Sequence, residues 1–179
     1  MTRVRAAVVV TGTELVRGDR SDLNGPFLAR ELHARGIEAA RVTIVGDREE
    51  ELEGALTEGL GADLLVVSGG LGPTHDDRTV EVLARAAGRN LVLDEGLEAE
   101  IEGISRRIAE RLRRPYGEFA AGVRKQASLP DGANSLGLAG TAPGIVLDTG
   151  SCVAVALPGP PAELRRLWEN AVRAEPVRR

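Results

Sequence analysis

The chain is 179 residues long, with 23 Lys and Arg against 27 Asp and Glu and a formal net charge of −4. That length supports one hydrophobic core, and an acidic balance with only two Phe, one Tyr and one Trp argues against a nucleic-acid binder, which needs a basic face or stacking platforms. A single cysteine, Cys152, excludes an intrachain disulfide and a multi-thiolate metal centre.

The β-branched run Arg5 to Val10 reads as a buried strand ending at Thr11-Gly12. Ser21 is the expected cap of a helix with Leu23, Phe27, Leu28 and Leu32 inward, closed by Gly36. Glu38 to Val45 is a second strand, and Leu52, Ala55, Leu56 and Leu60 mark a second helix before Gly61. Asp63 to Ser68 is apolar without alternation, as in a strand buried on both faces. A glycine-rich turn follows, then a helix carrying Val80, Leu83, Ala84 and Ala87. Leu97, Ile101, Ile104, Ile108 and Leu112 predict a longer helix stopped at Arg113-Arg114-Pro115. Residues 115–135 read as a loop with a short strand around Ala127 to Leu129. Gly144 to Asp148 and Cys152 to Leu157 form a hairpin pattern around Thr149-Gly150-Ser151. Pro160 or Pro161 opens a last helix with Leu164, Leu167, Trp168, Ala171 and Val172 inward. One domain is expected over residues 1–175, with 176–179 as a frayed tail.

Alternating strands and helices predict an α/β fold with a mostly parallel sheet covered on both faces. Ligands then bind beyond the carboxyl ends of the strands. No apolar run is long enough to span a membrane, and no signal-peptide pattern is present, so a cytoplasmic protein without a membrane partner is expected.

The segment richest in chemistry is Ser68-Gly-Gly-Leu-Gly-Pro-Thr-His-Asp-Asp-Arg-Thr79. Glycines let a backbone approach an anion with its N–H groups, and adjacent carboxylates suit a divalent cation bridging to phosphate. The Thr74 to Asp77 spacing equally fits a capping box. Glu14, in Thr11-Gly12-Thr13-Glu14, is either ligand-facing or a solvated loop residue; Asn24 either touches a ligand or fills the first turn of a helix. Arg124-Lys125-Gln126 either clamps phosphate or forms a charged loop, and Lys125 is the one lysine of the chain. Gly140-Thr141-Ala142-Pro143-Gly144 and Pro158-Gly159-Pro160-Pro161-Ala162-Glu163 are dense turn segments.

In order, Gly12-Thr13-Glu14-Leu15 with Gly18, Asn24, Val45-Gly46-Asp47, the Gly69 to Thr79 segment, Arg124-Lys125-Gln126-Ala127 and the two Pro/Gly segments resemble the amino-terminal domain of the CinA family. That domain has the molybdopterin-binding fold of the MogA and MoaB proteins. The resemblance implies a three-layer α/β/α domain and, in the CinA branch, divalent-metal-dependent hydrolysis of ADP-ribose to AMP and ribose 5-phosphate. It implies Asp76, Asp77 and Lys125 as catalytic residues and Asp76, Asp77 and Glu81 as ligands of Mg²⁺ or a similar ion. Gly12, Thr13, Glu14, Asn24, Gly69, Gly70, Gly72, Thr74, Arg124, Gly140, Thr141, Pro158 and Gly159 would bind the ligand and its phosphates. The expected partner is a small anionic nucleotide or a pterin, with molybdopterin as the alternative ligand, for adenylyl transfer or for binding alone. Nucleic acid is not expected; self-association is. The sequence departs from the family at Val123 and Gly137, where Asn is usual, and the amidase activity of the family's second domain is not carried over.

Overall fold

Alternation within one strand decides which helices it meets. In the computed structural model, which describes residues 4–178, strand β1 (Arg5–Thr11) sends Ala6, Val8 and Val10 to one face of a sheet and Val9 to the other. A helical turn α1 (Thr13–Val16) stands where a polar loop is expected. Helix α2 (Asn24–Ala34) buries Leu28 and Leu32. Its cap is Asp22 rather than Ser21: Asp22 Oδ1 accepts the N–H groups of Asn24 at 2.8 Å and Gly25 at 3.0 Å. A carboxylate at the positive end of a helix gives the stronger, charge-assisted bond.

Strand β2 (Glu38–Val45), helix α3 (Glu49–Gly59), the fully buried strand β3 (Leu64–Ser68) and helix α4 (Thr79–Ala86) follow as expected. A short strand β4 (Leu91–Leu93) precedes helix α5 (Glu95–Leu112), which Asp94 caps through Leu97 N–H at 2.9 Å. Over 115–135 the expected short strand is present as β5 (Ser128–Pro130), but the expected loop before it is helix α6 (Gly117–Ala127), and the start of β6 (Ala133–Leu138) follows. Two inward side chains one turn apart, Val123 and Ala127, are the whole apolar signal of α6, too little to show as a period. Strands β7 (Pro143–Asp148) and β8 (Val153–Leu157) form the expected hairpin, and helix α7 (Pro161–Ala171) buries Leu164, Leu167, Trp168 and Ala171. The expected fraying gives way to a helical turn α8 (Glu175–Arg178), whose Val177 packs on the apolar cluster of α2 and α7; Arg179 and residues 1–3 lie outside the described residues.

The sheet runs β2-β1-β3-β8-β7-β6, parallel across the first four strands and antiparallel in the β8-β7 and β7-β6 pairs. Helices α3 to α6 cover one face and α2 with α7 the other, which makes three layers. Val10 pairs with Ser68 and Ser68 with Leu157, so the carboxyl ends of β1, β3 and β8 reach one edge together. The described residues include no helix long and apolar enough to cross a membrane.

Candidate functional site

At that edge the chain leaves β3 through Gly69 and Gly70, at φ +104° and +67°. The close approach is as constraining as the angle. A Cβ on Gly69 would stand 2.7 Å from the Thr11 carbonyl oxygen, and one on Gly70 2.2 Å from Thr79 Oγ1. Thr79 is buried and donates its hydroxyl to the Gly69 carbonyl at 2.8 Å, so α4 holds the start of the loop. Gln126 on α6 donates to the Leu71 carbonyl at 3.0 Å. The Gly69 N–H is spent on the Leu157 carbonyl at 2.9 Å. The N–H groups of Gly70 and Gly72 meet no acceptor among the described residues, and both residues line the cleft, which leaves them available to an anion.

Asp77 closes the loop on itself. Its Oδ2 accepts from Thr74 N at 3.0 Å and Thr74 Oγ1 at 2.6 Å. It does not cap α4, whose N-cap Arg78 makes no side-chain cap bond. The capping-box reading is thereby corrected: the carboxylate turns back to the loop, ahead of the helix. Lys125, in the last turn of α6, donates to the Thr74 carbonyl. Burial holds its ammonium below the usual lysine value, against the opposing attraction of Asp77 and Glu81.

The neighbouring carboxylates do not join Asp77. Asp76 is exposed and pairs with His75 at 2.8 Å. Glu81 holds Arg78 at 2.9 Å, and that hydrogen bond keeps its carboxyl below the ordinary value. No group of three or more His, Cys, Asp or Glu among the described residues is arranged to hold a metal ion. The three-carboxylate arrangement of Asp76, Asp77 and Glu81 is thus not formed: Asp76 is engaged by His75 and Glu81 by Arg78.

Asp77, Gly70, Gly72, Thr141, Pro158 and Gly159 line one cleft of about 270 Å³, and these are expected site residues brought together. Lys125 and Glu81 line an adjoining recess that shares Leu71 and Gly72 with it. The first segment backs the loop at Thr11, beside Gly69, but none of its residues lines the cleft. The Gly12 N–H bonds the Val45 carbonyl at 3.0 Å, Thr13 N donates to Asp47 Oδ2 at 3.2 Å, and Glu14 is exposed. Asn24 is buried and braces the site: its Nδ2 donates to Ser68 Oγ at 2.9 Å and to the Gly159 carbonyl at 2.7 Å. Arg124 lies in solvent, 3.8 Å from Glu98. Val123 is buried in the core under α6, and Gly137 sits at φ +92° where β6 slips register, so neither position faces the cleft.

Glu163, which the sequence shows only as the end of a turn segment, also lines the cleft. Glu163, in the first turn of α7, puts its carboxylate against Gly140, where a Cβ would stand 2.9 Å from Oε1. Burial pushes this carboxyl above the ordinary range. The signal was the αL-prone Gly140 twenty-three residues earlier, at φ +127°, and only the fold joins the two.

Comparison with known proteins bears on the family and the fold. The family model described as "Probable molybdopterin binding domain" matches residues 7–177. A CinA-like protein of Mycobacterium sp. (strain MCS) is 48% identical over 177 residues, which is 97% of this chain and 42% of that protein. The CinA-like protein of Mycobacterium tuberculosis H37Rv is 45% identical over 179 residues, 97% and 41% of the two chains. The chain therefore spans about two fifths of the length of the curated relatives it matches. Among solved structures, CinA from Thermoplasma acidophilum superposes with a TM-score of 0.82 at 31% identity, covering 96% of each chain. The tungsten cofactor synthesizing protein MoaB from Pyrococcus furiosus shares the fold, with a TM-score of 0.59 at 21% identity over 98% of this chain and 93% of that one.

Proposed function

Since the chain belongs to the molybdopterin-binding-domain family, in its CinA-like branch, we propose that it is a divalent-metal-dependent nucleotide pyrophosphatase acting on ADP-ribose or a similar nucleotide. The observation that carries this reading is the Gly69 to Asp77 loop at the carboxyl ends of the parallel strands, with two unspent N–H groups and a carboxylate on one cleft.

In the proposed reaction a water oxygen bonds to one phosphorus of the pyrophosphate and the bridging P–O bond breaks. AMP and ribose 5-phosphate leave, and the water proton goes to solvent or to a cleft carboxylate. The N–H groups of Gly70 and Gly72 bind phosphate oxygens where negative charge is concentrated. Lys125 fixes the loop through the Thr74 carbonyl and adds positive charge behind it. Thr74 orients Asp77 toward the cleft. Asp77 fits a hard cation, since such ions are commonly held by one or two carboxylates plus substrate phosphate; Asp76 and Glu81, as they lie, do not. A cation bound there supplies charge neutralisation and a more acidic water.

The engagement of Asp76 by His75 and of Glu81 by Arg78 favours a second reading, binding of a pterin or nucleotide without turnover. Chromatography of products from ADP-ribose, with and without Mg²⁺, separates the two: AMP with ribose 5-phosphate supports hydrolysis, and intact ligand in a tight complex supports binding alone.

A further inference from the structure

Of the two carboxylates that line the cleft, Asp77 has a donor and Glu163 has none among the described residues. Thr74 serves Asp77, Arg78 serves Glu81 and Glu49, and Thr13 serves Asp47. Glu163 is half-buried on the cleft wall, and no hydrogen-bond donor or cation among the described residues reaches it. Leaving a desolvated carboxylate without donors costs free energy that a correctly placed ligand group restores. The position is built: Gly140 lacks the Cβ that would press on Oε1 and Oε2, at 2.9 and 3.2 Å, and Pro160 and Pro161 fix the start of α7 that carries Glu163.

The opposite wall decides what that group is. Gly70 and Gly72 offer N–H groups to an anion, so the phosphate belongs on their side. A second anion beside Glu163 would be repelled. The ligand portion next to the phosphate must present donors, and two adjacent hydroxyls match the two oxygens of a carboxylate.

We infer that Glu163 is the specificity residue that accepts hydrogen bonds from the vicinal hydroxyls of the ligand's ribose, and that the cleft selects ribose over deoxyribose phosphates. This rests on the proposed binding of a nucleotide in the cleft. The selection acts on ground-state binding and needs no turnover.

Calorimetric titration with 5′-AMP, 2′-deoxy-5′-AMP and pyrophosphate tests it, on the wild type and on Glu163→Gln, with thermal melts to establish that both are folded. The wild type should bind 5′-AMP about tenfold tighter than its 2′-deoxy analogue, the scale of one hydrogen bond to a charged group. Glu163→Gln should bring the two within about twofold, with no loss of affinity for pyrophosphate, which has no hydroxyls to lose. Glu163→Asp, which keeps the charge on a shorter arm, should fall between. A tenfold preference that survives in Glu163→Gln, or a wild type that binds both nucleotides equally, overturns the inference while nucleotide binding stands. A wild type that binds none of the three probes overturns both.

Discussion

Gly72 and Asp77 occupy one another's space: a Cβ on Gly72 would stand 2.3 Å from Asp77 Oδ2 and 2.7 Å from its Cγ. The glycine is there for the carboxylate. Gly72→Ala should turn Asp77 away from Thr74, because the far end of a side chain moves more easily than backbone. Ligand affinity should fall about tenfold, an energy near 1.4 kcal/mol, while stability changes by under about 1 kcal/mol. Titration with AMP beside urea denaturation checks both.

Lys125 meets the Thr74 carbonyl as a compact charge on a flexible stem. Arginine is planar, larger and differently directed, so Lys125→Arg is not conservative here. It should leave the fold intact and weaken nucleotide binding about tenfold, or about 1.4 kcal/mol. Lys125→Met should cost more. Equal affinities for wild type and Lys125→Arg would return this residue to a solvated role.

Burial raises the Glu163 carboxyl above its ordinary unfolded value. Between that value and its raised folded value, the native state holds a proton that the unfolded chain has lost. The stabilising effect is therefore complete below the unfolded value and is lost as pH rises through the folded one. Glu163→Gln has no such loss. It should match the wild type in stability at pH 4 and exceed it at pH 7, measured by thermal unfolding at each pH.

Cys152 is buried beneath the sheet, and desolvation pushes its thiol up to about 11. Little thiolate exists at pH 8, and the sulfur is shielded. A disulfide reagent should leave the native protein unmodified over minutes and titrate one thiol once it is unfolded in guanidinium. Rapid native labelling would contradict this packing.

Strands β1, β3, β7 and β8 and helices α2 to α5 and α7 were legible because each carries a strong local pattern. Helix α6 was not. Its Gly122 looks like a helix breaker, yet it packs on Pro73, where a Cβ would stand 2.6 Å from the proline Cβ. Strand β4 is three residues long, with Leu91 and Val92 exposed, and has no core signature to read. In the site, the glycine loop and Asp77 stood out as a contiguous string. Lys125 stood out as the lone lysine, but its bond to Thr74, fifty-one residues away, and the meeting of Glu163 with Gly140 arise only through the fold. Asp76 and Glu81 look equivalent to Asp77 in sequence, and what separates them is the partner each side chain reaches: His75, Arg78 and Thr74.

The central claim is that the cleft carboxylate of Asp77 serves hydrolysis of a nucleotide pyrophosphate. Asn keeps its shape and its hydrogen bonds with Thr74 but removes the charge. The decisive measurement is the rate of AMP and ribose 5-phosphate release from ADP-ribose with Mg²⁺, wild type against Asp77→Asn, with the melting temperature of each. The account predicts equal amounts of both products from the wild type. In Asp77→Asn it predicts a rate at least about a hundredfold lower, with a melting temperature within about 4 °C. A wild type that releases neither product, or an Asp77→Asn protein that keeps the full rate, would contradict it.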